Sequence, residues 1–319
     1  MLWRVCKNFV ILLGVYVLAV GVIGVQAGSL TPGTFYVVGV GPAGPEHATL
    51  RALEVIKGAD FILCGEKMAA RFKPYLQDKT ILADPWKGMW DYKGKTWEEI
   101  PKLKPEEQQA FQKERISIRE ALVRQIKEKL GEGKTVALLD SGDPCLFGPA
   151  HWFSEGFEPQ QVQFIPGVGA FSAAMAALQK SSIPAYNTRF VLQTSPFFLM
   201  GKEKSEQVVQ DLAKYPVTMV FYMGLKEMPR LIPLLKKYHP GDLPVAVVYN
   251  AGYPDKEKVV KGTLDTILDQ IAAEKEKWNG LIMVGRCLQG QPYRGRVERM
   301  AGYQNVKKVE KSASLPPKQ

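Results

Sequence analysis

An α/β protein built on a parallel sheet is what two short stretches of the chain predict. Phe35 to Leu53, FYVVGVGPAGPEHATLRAL, and Thr135 to Gly148, TVALLDSGDPCLFG, are apolar runs that stop abruptly at glycine and proline and then begin a helical pattern. Each is the signature of a βα unit. A third observation is that such units alternate along the chain. Ligands of sheets of this kind sit where the turns after the strands gather.

The elements follow in order. Phe35 to Val40 reads as a strand and Glu46 to Lys57 as a helix, with Leu50, Leu53 and Ile56 on one face and Gly58 as its stop. Phe61 to Cys64 reads as a second strand and Thr80 to Leu82 as a short third. The run WKGMWDYKGKTWEEIPKLK from Trp86 has no regular period. Pro105 then opens, and Gly131 ends, a long helix with the stripe Phe111, Ile118, Leu122, Ile126 and Leu130. Val136 to Leu139 and Val162 to Ile165 are strands, and Ala170 to Leu178 is a helix of small residues suited to close packing. KSSIPAYNTRF breaks the rhythm at Pro184, which divides the chain near Ser182 into segments 34–182 and 183–288. In the second, Val191 to Gln193, Thr218 to Met223, Val245 to Tyr249 and Leu281 to Val284 read as strands. Lys204 to Lys214, Met228 to Tyr238 and Thr263 to Glu276 read as helices. Residues 289–319 form a basic, proline-ended tail expected to be mobile.

Residues 1–27 are expected to stand apart from the fold. Arg4 and Lys7 precede an uncharged apolar run from Phe9 to Val25, and Val25-Gln26-Ala27 supplies small residues for a signal peptidase. This predicts an export signal cleaved after Ala27, with an uncleaved membrane anchor as the alternative. Both place the remainder on the periplasmic side of a bacterial inner membrane; a misassigned start codon would leave it cytoplasmic. The formal charge of +10 falls by two without Arg4 and Lys7. The remaining excess is scattered and lacks the alternation of basic and aromatic residues of a nucleic-acid groove, so no nucleic-acid partner is expected. Beyond Cys6, the three cysteines Cys64, Cys145 and Cys287 are widely spaced. They give no disulfide framework or zinc site, and with only His47, His151 and His239 no metal is expected.

Gly39-Val40-Gly41-Pro42-Ala43-Gly44 is literally G-x-G-x-x-G after a strand, with Glu66 beyond the second strand, which raises a dinucleotide site first. The prolines argue against it. A pyrophosphate is held by backbone N–H groups, and Pro42 and Pro45 each remove one. A ligand without phosphate suits this loop. In the second turn, Asp143 either caps the next helix, with Pro144 at its first position, or holds a polar or cationic ligand group.

The turns Gly39 to Glu46 and Ser141 to Gly148, then Pro166-Gly167-Val168, Thr218 to Gly224, Pro244 to Tyr249 and Gly262-Thr263, occur in this order. Together they resemble the tetrapyrrole methylase family, the class III S-adenosylmethionine-dependent methyltransferases, over roughly residues 34–288. PVAVVYNAGYPDKEKVVKGTLDTI is most similar to the precorrin-4 and cobalt-precorrin-4 branch. The resemblance implies a bilobal α/β homodimer with a mostly parallel N-terminal sheet, a mixed C-terminal sheet and S-adenosylmethionine between them. Carried over, the cofactor contacts are Pro42, Gly142, Asp143, Phe147, Met223, Ala246, Gly262 and Thr263; for Phe147, Met223 and Ala246, core packing is the alternative. Three departures stand out: Ala43-Gly44 where the family has Gly-Asp, Gly169-Ala170 where a hydroxyl pair is common, and a longer insert from Trp86 to Lys113.

A sulfonium methyl is already activated, so alignment carries most of the catalysis and no triad is needed. Asp143, His151 and Tyr249 are the candidates for proton handling, against the plainer roles of a surface histidine and a packed tyrosine. The insert adds Trp86, Trp90, Tyr92 and Trp97, followed by Arg115 and Arg119 one helical turn apart. Trp90, Tyr92, Arg115 and Arg119 are the candidate substrate contacts, aromatic faces for a flat macrocycle and arginines for its carboxylates. Alternatively the same aromatics only pin the loop. The expected acceptor is a small acidic molecule, a tetrapyrrole first. Peptide backbone N-methylation of the borosin type is a second reading, although Arg119 stands where a tyrosine would be expected. An exported, non-catalytic tetrapyrrole carrier is a third.

Overall fold

The computed structural model describes residues 30–183, 188–200 and 205–289. The expected leader and the basic tail beyond Gln289 lie outside them. No helix among the described residues is long and apolar enough to cross a membrane.

Two five-stranded sheets form the molecule. The first contains β1 (Phe35–Gly39), β2 (Phe61–Leu63), β3 (Thr80–Ala83), β6 (Val136–Asp140) and β7 (Val162–Ile165), in the order β3-β2-β6-β1-β7. All its pairings are parallel. β1 and β6 are buried at every position, which is why they read as unbroken apolar runs rather than alternating ones. Between β3 and β6 stand the two short strands β4 (Asp91–Tyr92) and β5 (Lys95–Thr96). The helices Leu50–Gly58 and Pro105–Gly131 cover opposite faces of the sheet, with Val55 and Ile56 on one side and Leu122 and Ile126 on the other. Burying Ile126 fully contributes about 1.5–3 kcal/mol.

The second sheet has the order β11-β10-β12-β9-β8. Its strands are β8 (Phe190–Thr194), β9 (Val217–Phe221), β10 (Pro244–Tyr249), β11 (Lys258–Thr263) and β12 (Gly280–Val284). β8 and β9 are parallel and the other pairings antiparallel. The sheet is therefore mixed, as expected. Because β12 runs against both β9 and β10, those two strands end at the same edge.

Local chemistry explains where the elements depart from expectation. The first helix begins at Leu50, not Glu46: Pro45–His47 forms a separate turn, and Thr49 caps the helix through its hydroxyl and the Ala52 N–H at 3.0 Å. The aperiodic insert contains the β4–β5 hairpin, closed by Lys93 and Gly94, both left-handed at φ 48° and 77°. That is the two-residue turn that matches strand twist, here without its usual asparagine. The helix expected from Thr263 to Glu276 shrinks to Ile267–Gln270; at its start, Thr263 pairs with Pro244 of β10 as the end of a strand. The helix Ala170–Leu178 packs Ala174, Met175 and Leu178 against Val220, Ala246 and Met283 of the second sheet. A helix of the segment before Ser182 thus contributes to the core of the second sheet.

Candidate functional site

Three turns of the first sheet are pressed together at its carboxyl edge. Gly41 and Gly142 exchange two backbone hydrogen bonds, of 3.2 and 2.8 Å. Gly142 is left-handed, at φ 77°, a conformation that suits a residue without a Cβ. A Cβ on Gly167 would lie 2.1 Å from the Gly142 carbonyl oxygen, so the turn after β7 passes directly against the turn after β6. On the free side the situation is reversed: a Cβ on Gly142 would meet nothing within 4 Å. The space over that residue is open.

The second lobe closes on the same edge. The Cβ position of Gly252, just past β10, is 3.0 Å from the His47 ring and 3.2 Å from Pro42 Cγ. Arg71 donates to the Ala43 carbonyl at 3.2 Å and lies 5.0 Å from the Tyr253 ring. The Phe147 ring is 5.1 Å from Tyr222, which follows β9, and stacks on Phe198 at 6.2 Å. Phe147 and Met223, one from each lobe, are both left-handed at φ 56° and 53°, with side chains 39% and 55% exposed. Such strain costs about 1–3 kcal/mol per residue and concentrates at ligand sites.

Pro42, Gly142, Asp143, Phe147 and Met223 are thus brought together. No helix starts at Pro144, where the chain makes turns instead; Asp143 still serves locally, its Oδ1 accepting from the Cys145 N–H at 3.0 Å. Ala246 is not in this group, being 1% exposed and packed under the Ala170–Leu178 helix. Gly262 and Thr263 pair with Val245 and Pro244, at the opposite end of β10 from Gly252, so the geometry removes them from the cleft. The residues found at the right edge instead are Asn250, Ala251 and Gly252, with Gly280 paired to Tyr249. An apolar strand ending in Asn-Ala-Gly carries the same signal as the first turn and could have located them.

The candidates for proton handling separate likewise. Tyr249 is 3% exposed, and burial pushes its hydroxyl up to about 12, so it stays protonated at neutral pH and packs in the sheet. His151 lies flat on Phe164, ring centroids 4.4 Å apart, over a residue paired with Val37 in mid-strand. Only Asp143 stands in the cleft. A second acid escaped the sequence reading: Asp140, which ends β6, has one oxygen without a partner among the described residues, and burial raises its carboxyl to about 6. An acid ending an otherwise apolar strand was the available signal.

The insert reaches across to the other lobe, where Glu98 forms an ion pair with Lys226, three residues past Met223. Lys226 also lies 4.0 Å over the Trp278 ring. Trp90 and Trp97 pack edge to face at 5.4 Å and stay 40% and 42% exposed. Tyr92 is not available to a substrate: it is buried with Ile100 and Phe111 in a small core of the insert's own. Arg119 is occupied, its Nε donating to the Trp152 carbonyl at 2.7 Å and its guanidinium facing Glu155 at 3.8 Å. Arg115 lies among aromatic rings.

A phosphate-free nucleoside fits this arrangement. The turns contain Pro42, Pro45 and Pro144, none with an N–H to offer, while open space over Gly142 and the apolar Phe147 and Met223 suit an adenosyl group. Similarities to known proteins agree. Residues 34–268 match the family Tetrapyrrole (Corrin/Porphyrin) Methylases. Cobalt-precorrin-4 C(11)-methyltransferase of Methanocaldococcus jannaschii is 27% identical over 260 residues, 81% of this chain and 89% of the relative. Uroporphyrinogen-III C-methyltransferase of Bacillus subtilis is 29% identical over 265 residues, 80% and 91% respectively. Among solved structures, a cobalt precorrin-4 methyltransferase aligns with a TM-score of 0.57 at 21% identity, covering 80% of this chain and 96% of that one. Uroporphyrin-III C-methyl transferase from Thermus thermophilus, complexed with S-adenosylhomocysteine, gives 0.55 at 18% identity, with 80% and 99% covered. These two likenesses show the fold. Neither peptide N-methylation nor a non-catalytic carrier draws support from them. The chain belongs to the tetrapyrrole methylase family, whose members are S-adenosylmethionine-dependent methyltransferases.

Proposed function

We propose that the chain methylates a ring carbon of a carboxylated tetrapyrrole, in the manner for which its cobalt-precorrin-4 and uroporphyrinogen-III relatives are named. The observation that carries this reading is the meeting of Gly142, Asp143 and Phe147 from one lobe with Met223 from the other, around open space. Pro42, Gly142, Phe147 and Met223 would hold the cofactor, with Asp143 taking its polar or cationic groups. When bound, S-adenosylmethionine supplies an activated methyl group on a sulfonium that departs as a neutral thioether. What remains for the protein is alignment, for which up to about 7–11 kcal/mol is available in favourable cases. Carbon methylation also releases a ring proton. Asp143, half-buried in the second turn, is the residue we assign to accept it.

Calorimetric titration with S-adenosylhomocysteine tests the reading without the acceptor: saturable binding, lost in Asp143→Ala, is expected. No binding, or a preference for NAD, overturns it. The resemblance also supports a homodimer, to be measured by light scattering. The apolar run behind Arg4 and Lys7 supports export or membrane anchoring, with transient or permanent membrane contact through residues 1–27. Donor made in the cytoplasm would then have to be supplied outside it. Cell fractionation decides between this and a cytoplasmic protein with a misassigned start.

A further inference from the structure

Arg115 is a cation surrounded by rings and, among the described residues, without an anion. It lies within the Pro105–Gly131 helix, and its guanidinium carbon is 5.5 Å from the ring centroids of Trp90 and Trp97, 5.3 Å from Phe111 and 5.1 Å from Trp152. Its Nε is buried and has no acceptor. Among the described residues no carboxylate, carbonyl or hydroxyl engages the rest of the fork. Arg119, one turn on, makes the contrast, because both ends of its guanidinium are used within the lobe.

Stacked rings satisfy the faces of a guanidinium and leave its N–H donors, which point outward in its own plane, unsatisfied. Burial pulls the Arg115 pKa below the ordinary guanidinium value, yet the group remains charged at any physiological pH. An oriented, partly dehydrated fork with idle donors is matched by a carboxylate, which accepts two parallel bonds. Half-exposed Trp90 and Trp97 offer flat apolar surface beside it. The Glu98–Lys226 ion pair holds this assembly against the lobe that carries Met223.

We propose that Arg115, in its box of Trp90, Trp97, Phe111 and Trp152, is the subsite that anchors a carboxylate of the acceptor, with the tryptophans along the acceptor's flat face. Trp152 joins the site although nothing in its spacing marked it. This rests on the methyltransferase reading for its acceptor, and the test separates the two. Full-length protein is titrated with uroporphyrin, an octacarboxylic acid, and with its octamethyl ester in the same nonionic detergent, following tryptophan quenching. Wild type is expected to prefer the acid. Arg115→Lys, which keeps the charge and loses the fork, and Arg115→Met should each lose about ten-fold or more in acid affinity. Ester and S-adenosylhomocysteine binding should be unchanged. Equal binding of acid and ester by wild type, an undiminished acid affinity in Arg115→Lys, or equal losses for both ligands would overturn the proposal. Failure to bind S-adenosylhomocysteine, with the acid preference intact, would count against the methyltransferase reading and leave this subsite standing.

Discussion

Replacing Asp140 by asparagine should remove a specific pH dependence of stability. The residue is 6% exposed, its Oδ2 has no partner, and burial, opposed only by a bond from the Ser141 backbone, raises its carboxyl from 3.8 to about 6. In that interval the folded chain retains a proton that the unfolded chain has lost. The free energy of unfolding therefore falls as pH rises from 3.8 to 6 and is level above it. A shift of about two units at about 1.4 kcal/mol each amounts to ~3 kcal/mol, present below the lower value and lost at neutral pH. Asparagine has the same shape and no charge to lose. Urea denaturation of both proteins between pH 3.5 and 7.5 isolates the effect, since every other carboxylate is common to the two and cancels in the difference. The difference should move by ~3 kcal/mol in favour of the variant, with its midpoint near pH 5. Parallel curves would refute the reasoning and show that Oδ2 is solvated or paired.

Two further outcomes test the turns. Gly167→Ala places a Cβ 2.1 Å from the Gly142 carbonyl; relief by backbone movement costs about 1–3 kcal/mol and should abolish S-adenosylhomocysteine binding in calorimetry. Gly131→Ala, where a Cβ meets nothing within 4 Å, should leave it intact. Cys145 is the exposed thiol among the described cysteines, Cys64 and Cys287 being buried. Burial and then the Asp143 charge raise its pKa, so alkylation followed by mass spectrometry should be slow at pH 7 and accelerate above pH 9. Saturating S-adenosylhomocysteine should slow it; equal rates with and without ligand would place the cofactor elsewhere.

The parts of this fold legible in sequence are those where one segment carries its own information. β1, β6 and β9 are apolar runs ended by glycine or proline, and the long helix shows its stripe without help from any neighbour. β11 was not legible: Lys258–Thr263 has only Val259 and Val260 as apolar content and becomes a strand because β10 lies beside it. The same holds in the site. Gly142 and Met223 sit at ends of strands that announce themselves, whereas Gly262 and Thr263 matched a motif without lying near the cleft. Tyr92 looked like a substrate aromatic because its residue type is right; only its packing on Phe111 shows that it is used internally. Asp140 was overlooked because burial, which gives it its unusual protonation, is a property of the assembled sheet.

The proposed cofactor side and acceptor side are built by different physics, and this bears on how the chain can vary. At the turns, Gly167 comes closer to the backbone of Gly39 and Gly142 than any Cβ allows, whereas Gly142, with open space around it, needs its glycine for the left-handed φ of 77°. The proposed acceptor side is a set of rings mostly on an insert, which Glu98 links to Lys226 of the second lobe. Those two side chains are 41% and 38% exposed, and a pair so wetted contributes about 0–1 kcal/mol. That is too little to hold the lobes together. The packing of Gly252 on Pro42 and His47, and of Phe147 on Phe198 and Tyr222, does that instead. The ion pair fixes where the insert meets the second lobe rather than adding stability. Glu98→Gln should therefore shift the preference among acceptors and leave S-adenosylhomocysteine affinity and the unfolding midpoint where they were.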